Sequence, residues 1–318
     1  MNDWIPAQVA ERRNEAEDII SLVLKPADGS VLPAYEAGAH IDLRLPNGLV
    51  RQYSLCGERG ADNAYQLGIL LEPEGRGGSR YVHERIVEGD VIEISAPRNL
   101  FAIEPSKRSL LFAGGIGITP IIAMADQLER EGRDFALHYS TRTAARAAFR
   151  DRIAGSSYAA RAFHHFDDRP ETRLDVAALL ATPDERANLY VCGPDGFMNH
   201  VLGTARALGW PEARLHSERF SAAVTQSAED TAFELEIEGS GQIVPVAAGQ
   251  TALDALNAAG IEIPVSCEQG ICGTCLTTVV AGIPDHRDMY LSPEERAAND
   301  CFTPCCSRAL SPRLVIQL

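Results

Sequence analysis

The sequence predicts a multi-domain chain: an antiparallel β-barrel or sandwich first, an α/β domain on a parallel sheet next, and a small α+β domain last. Three observations carry this. The first hundred residues alternate short apolar runs with turn residues, the mark of antiparallel strands. From about residue 108, apolar strands alternate with helix patterns, which implies a parallel sheet. Beyond residue 231, a strand and a short helix precede a dense group of cysteines. A length of 318 residues suits two or three domains, and 45% hydrophobic content is ample for their cores.

In the first segment, residues 1–102, the runs at 19–24, 40–45, 65–71 and 90–94 read as strands, with Pro46-Asn47-Gly48 as a turn. The second, 103–222, opens with an apolar strand at 109–113 that enters Gly114-Gly115-Ile116-Gly117-Ile118-Thr119-Pro120. A helix follows from 121 to 130, and further strands at 135–139 and 188–192 each precede a helix. The small polar stretch that begins at Ser221 reads as a linker, set at 223–231. The last segment, 232–318, holds a strand at 233–237, a helix at 251–259 and the cysteine loop.

Cys267, Cys272 and Cys275 are spaced C-x4-C-x2-C, and Cys305 follows after twenty-nine residues. This is the plant-type spacing for a 2Fe-2S cluster held by four thiolates. Within the loop, Gly270 and Gly273 allow positive φ and close backbone approach, which a loop folded tightly around an inorganic core requires. A zinc knuckle is the competing reading, but zinc favours C-x2-C pairs at both ends, and only Cys272/Cys275 forms one. The fourth ligand lies between neighbours, Cys305 and Cys306. Cys301 and Cys306 read as packing residues, because a free cysteine behaves as a small hydrophobe.

Upstream, the glycines at 114–117 sit at a strand-to-helix junction, where backbone amides can approach a pyrophosphate at a helix N-terminus. A second turn, Cys192-Gly193-Pro194, closes a later strand; in a doubly wound sheet two such turns border one crevice. Arg51-Gln52-Tyr53-Ser54 offers a cation, an aromatic face and a hydroxyl from one strand, and Arg76-Gly77-Gly78-Ser79 is a loop suited to a phosphate.

In this order, R-x-Y-S, G-R-G-G-S, G-G-I-G-I-T-P, C-G-P and a C-terminal ferredoxin pattern resemble the phthalate dioxygenase reductase family, which includes the vanillate O-demethylase reductase subunits. The resemblance covers essentially the whole chain. It implies an FMN-binding barrel, an NADH-binding domain and a ferredoxin domain in one polypeptide. Arg51 would contact the FMN phosphate together with Gly77, Gly78 and Ser79; Tyr53 would face the isoalloxazine and Ser54 its N5 region. Gly115, Gly117, Thr119, Pro120, Arg142, Cys192, Gly193 and Pro194 would bind the dinucleotide, with Thr119 and Cys192 near the nicotinamide. Phe220 matches an aromatic stacked on the flavin, so Ser54, Thr119, Cys192 and Phe220 are the candidate catalytic residues. Cys305 matches the first residue of the run that closes the ferredoxin pattern. Where some relatives carry an acidic residue against the 2′-phosphate of NADP, this chain has Thr143, with Arg142 and Arg146 close by in sequence.

The activity implied is an NADH-dependent reductase that feeds a Rieske-type oxygenase acting on an aromatic or methoxy-aromatic acid. Its alternatives are another acceptor, such as a cytochrome P450, or a bare electron carrier, which the glycine turns argue against. The net charge of −15 disfavours nucleic acid. Neither a membrane span nor a signal peptide is visible, and a cytoplasmic monomer is expected. From residue 232 onward, eleven Asp/Glu face four Arg and no Lys, a charge of −7 that can steer a basic partner. His83, His164, His165 and His216 show no ligand spacing and are expected to be structural.

Overall fold

Strand β1 (Ile5–Ala16) buries Ala7 and Val9 between exposed neighbours, the period-two pattern of a strand with one wet face. It pairs antiparallel with β2 (Ile19–Pro26) and β6 (Val91–Ile94). With β3 (Ala39–Arg44), β4 (Val50–Ser54), β5 (Tyr65–Leu70) and β7 (Arg98–Asn99) these build an antiparallel sheet in the order β4-β3-β6-β1-β2-β5, β7 pairing with β3. The two end strands meet: Leu55 bridges Leu67, and the Cys56 amide donates to the Gln66 carbonyl at 2.9 Å. Closure makes this a barrel rather than a sandwich. Leu22, Leu24, Ile41, Leu43, Leu67 and Ile69 fill it. Between β5 and β6 the chain forms α1 (Gly78–Arg85). The computed structural model describes residues 4–57, 63–220 and 230–318.

A parallel sheet follows, with β8 (Arg108–Gly114), β9 (Asp134–Thr141), β10 (Ala162–Phe166), β11 (Ala187–Cys192) and β12 (Leu215–Glu218) in the order β10-β9-β8-β11-β12. Strand order reverses between β8 and β11, so their carboxyl ends border the crevice where open α/β sheets bind ligands. Helix α2 (Ile118–Arg130) starts three residues before the expected 121. Pro120 fits inside its first turn because the first four N–H groups of a helix have no intrahelical acceptor. After β9 the expected helix shrinks to a 3-10 turn and the five-residue α3 (Arg150–Ala154). The short α4 (Val176–Leu179) precedes β11, and α5 (Asp195–Ala207) follows it as expected.

Barrel and parallel sheet pack as one compact unit, Met1–Arg219. Ile19, Ala37, Cys56 and Phe101 share a core with Ile118, Ile121, Tyr139 and Phe149. Arg152 reaches the Cys56 carbonyl at 2.6 Å and is paired with Asp126. The expected division at 102/103 therefore falls inside one unit whose two sheets each keep their own topology.

The second unit is Phe220–Leu318. Its sheet runs β14-β13-β19-β15-β17, from β13 (Phe233–Ile237), β14 (Ile243–Val246), β15 (Thr277–Ala281), β17 (Cys301–Phe302) and β19 (Arg313–Gln317). Only the β13–β19 pair is parallel. β16 (Pro284–Asp285) and β18 (Arg308–Ala309) form a separate ladder. Helix α6 (Ala252–Ala258) is capped by the Thr251 hydroxyl, and α7 (Pro293–Ala298) by a Ser292/Glu295 capping box. Of the expected linker, residues 223–229 lie outside the described residues. Among the described residues no helix is long and apolar enough to cross a membrane.

Candidate functional site

Arg51 on β4 lies against the N-terminus of α1. A β-carbon at Gly78 would stand 2.5 Å from its Cγ, so glycine is what lets the arginine rest there. The guanidinium donates to the Val50 and Arg76 carbonyls at 2.7 and 2.9 Å. Gly77 is the left-handed N-cap (φ 81°) and supplies no side-chain oxygen, leaving the first-turn amides to an anion. Ser79 lies in that turn, but its hydroxyl oxygen accepts the Glu72 amide at 3.0 Å. Tyr53 packs half-buried against the barrel core, and burial raises its phenol well above the usual range. A cation, helix amides and an aromatic face along one barrel edge fit a flavin mononucleotide.

The two glycine turns of the parallel sheet touch. A β-carbon on Gly193 would be 2.9 Å from the Gly114 Cα, and one on Gly117 would be 2.2 Å from the Cys192 carbonyl oxygen. Gly115 takes φ 53°, Gly117 caps α2, and Pro194 caps α5. Thr119 is buried, with its hydroxyl on the Ile116 carbonyl at 3.0 Å. Arg142 is exposed just past the end of β9, whereas Arg146 is held by Glu17 and Asp18 at 2.7 and 3.1 Å. Phe220 is 40% exposed and belongs to the second unit.

One residue of this crevice escaped the sequence. Glu218 ends β12 in register with Cys192, and the Ser54 hydroxyl donates to it at 3.4 Å. Ser54, Glu218, Cys192 and Gly117 thus form a continuous group from both sheets. Burial raises the Glu218 carboxyl from 4.5 to about 8, opposed by the Ser54 hydrogen bond. Cys192 is pushed well up by burial and then by the Glu218 charge, which keeps it a neutral thiol. The folded chain binds this proton more tightly than the unfolded chain, so stabilisation present below about 4.5 is lost as pH rises through about 8. Melting temperature should fall across that window, and Glu218→Gln should flatten the fall; superimposable profiles of Tm against pH would exclude the assignment.

The four cysteines converge and are buried. Cys267 has Cys272 and Cys305 as its thiol neighbours, and Cys305 has Cys275 and Cys306. Amides of Gln269 and Thr274 point at the Cys267 and Cys272 sulfurs at 3.3 and 3.5 Å. Cys306 turns elsewhere, its sulfur 3.2 Å from the Thr303 hydroxyl. Among the described residues no three His, Cys, Asp or Glu side chains group around a single-ion site. Contacts of Cys267 with Cys272 and of Cys275 with Cys305 fit a two-iron core that takes two thiolates per iron.

The histidines are built into the fold, His83 on α1 and His138, His164, His165 and His216 on sheet strands. His83 bonds the Ile69 carbonyl at 3.0 Å, His165 pairs with His138 at 3.1 Å, and His164 and His216 stack on Phe166 and Tyr190.

A family model described as a 2Fe-2S iron-sulfur cluster binding domain matches residues 235–310. The vanillate O-demethylase oxidoreductase of Pseudomonas sp. (strain HR199 / DSM 7063) is 53% identical over 312 residues, covering 98% of each chain. A solved phthalate dioxygenase reductase, described as a modular structure for electron transfer from pyridine nucleotides to 2Fe-2S, matches with a TM-score of 0.76 at 36% identity. That match covers 99% of this chain and 98% of the other. An intact type IV self-sufficient cytochrome P450 monooxygenase matches with a TM-score of 0.88 at 38% identity; there the chain spans 41% of the longer protein. Similar along its whole length to reductases of this kind, the chain belongs to the phthalate dioxygenase reductase family of iron–sulfur flavoprotein oxidoreductases.

Proposed function

We propose that this chain takes electrons from NADH and delivers them, through FMN and a 2Fe-2S cluster, to a Rieske-type oxygenase that acts on a methoxy-aromatic acid such as vanillate. The observation that carries it is the 53% identity, end to end, with a vanillate O-demethylase oxidoreductase. When bound, FMN would accept the electron pair of NADH and release it singly, as a one-electron cluster requires.

The chain's own residues supply position. Arg51 and the first turn of α1, with Gly77, Gly78 and Ser79, hold the FMN phosphate. Tyr53 borders the flavin ring, and Ser54 bonds its N5 region. Gly115, Gly117, Thr119, Pro120, Arg142 and Cys192-Gly193-Pro194 hold the nucleotide at the carboxyl ends of β8, β9 and β11. The neutral, buried Cys192 offers a smooth contact for the nicotinamide and no charge. Cys267, Cys272, Cys275 and Cys305 hold the cluster. The protein works as a cytoplasmic monomer.

Purified protein mixed with NADH and its oxygenase should demethylate vanillate, and with NADH alone it should reduce cytochrome c. Absence of NADH–cytochrome c reduction in a flavin- and iron-loaded preparation would end the proposal. The fold match to the self-sufficient monooxygenase favours a second acceptor, a cytochrome P450. Faster turnover with a P450 than with any aromatic-ring oxygenase would select that reading.

A further inference from the structure

The cysteine loop is covered by a turn that none of its cysteines belongs to. Residues 288–291 fold back across it: the Met289 amide donates to the Gly270 carbonyl at 2.8 Å. A β-carbon on Gly273 would lie 2.3 Å from the Tyr290 ring, and one on Gly270 would lie 3.0 Å from the Asp288 Cα. Both loop glycines are thus open faces on which this turn rests.

Asp288 holds the turn in place. The residue is 3% exposed. One carboxylate oxygen accepts the amides of Tyr290 and Leu291 at 3.0 and 2.7 Å; the other accepts the Ser307 hydroxyl at 3.4 Å. Ser307 in turn contacts Thr303 at 2.9 Å and accepts the Arg287 amide at 3.1 Å. One carboxylate therefore ties the loop of the first three cysteines to the turn that carries Cys305. Its nearest basic groups, His286 and Arg296, stand at 3.7 and 3.8 Å, beyond hydrogen-bond reach. So the negative charge is buried against the cysteine loop at Gly270 and near Cys306, with two basic side chains within 4 Å of it but neither hydrogen-bonded to the carboxylate.

We propose that Asp288 is a positioning residue for the cluster, clamping the 288–291 turn onto the cysteine loop and holding the cluster's midpoint potential down with its charge. The proposal rests on the 2Fe-2S assignment. Reduction adds one negative charge to the bound cluster. A fixed anion nearby in a medium of low dielectric opposes that addition, and net charge and hydrogen bonding are the protein's main controls on such potentials. Asp288→Asn keeps the shape and one acceptor oxygen but deletes the charge, so the cluster becomes easier to reduce.

The test is a redox titration followed by electron paramagnetic resonance, on the full-length holoprotein, normalised to iron bound. Asp288→Asn is expected to raise the midpoint by at least a tenfold change in the reduction equilibrium, about 59 mV for one electron. A merely structural role would lower iron content and leave the loaded fraction at the wild-type potential; that result overturns the proposal. If Asp288→Asn loads too little iron to titrate, Arg296→Gln strips a cation from the same carboxylate and is expected to lower the midpoint. An unchanged or raised midpoint there overturns it equally. Wild-type protein without iron and acid-labile sulfide would instead sink the cluster assignment itself.

Discussion

Cys305→Ser abolishes NADH-dependent cytochrome c reduction, and Cys306→Ser leaves it near wild type. The two thiols are adjacent in sequence and both buried, so composition and accessibility do not separate them. Direction does. The Cys305 thiol neighbours Cys267 and Cys275 as well as Cys306, whereas the Cys306 sulfur has Cys305 alone of these and meets the Thr303 hydroxyl, and a β-carbon on Gly270 would stand 2.3 Å from it. A serine at 306 can take over the Thr303 contact at a cost of about 1 kcal/mol. A serine at 305 leaves one iron with a poor ligand. NADH–ferricyanide reduction should survive both substitutions, because Arg51, Tyr53, Ser54 and both glycine turns belong to the first unit. The check is paired: activity with each acceptor, and iron per chain. Loss of iron in Cys306→Ser with retention in Cys305→Ser would reverse the ligand assignment.

Gly117→Ala is expected to raise the apparent KM for NADH roughly 100-fold, the scale that a misplacement of about 1 Å can produce. Its φ of −60° suits any residue, so strain is not the reason. The obstacle is contact: the added methyl would stand 2.2 Å from the Cys192 oxygen and 2.6 Å from the Gly193 nitrogen, both backbone atoms that cannot swing aside. Either α2 or the Cys192-Gly193-Pro194 turn must back away, and the crevice between β8 and β11 opens. Overpacking of this kind typically costs about 1–3 kcal/mol of stability. Gly203 supplies the control, since a methyl there would meet nothing within 4 Å. Gly203→Ala should keep KM and gain up to ~1 kcal/mol from helix propensity. Wild-type KM in Gly117→Ala would remove this turn from the nucleotide site.

Apolar runs make β2, β3, β5, β6, β8, β9, β11 and β13 legible in the sequence, and Arg51-Gln52-Tyr53-Ser54 marks β4. Other strands are hidden by their composition. β1 carries Glu11-Arg12-Arg13-Asn14-Glu15 in its second half, a charged run without apolar alternation. β10 places His164 and His165 at its centre on the sheet's edge, where one side is wet and apolar alternation fades. The site divides in the same way. Motif residues stand out because cysteines are few and the spacing of both cysteines and glycines is constrained. Glu218 and Asp288 do not, since a lone acidic residue looks like any solvated one. Only sheet register puts Glu218 beside Cys192, and only the return of the 288–291 turn puts Asp288 beside Gly270. Long-range pairing, not local chemistry, turns such residues into parts of a site.

The arrangement of the last sheet has a consequence for how the protein is made. β13 and β15 never touch as partners; β19 lies between them, pairing parallel with one and antiparallel with the other. All four candidate ligands therefore precede in sequence the strand that organises their scaffold. Pairings that span this much sequence form slowly. The cysteines therefore lack a finished scaffold until β19 has paired, and cluster insertion is expected to follow that pairing.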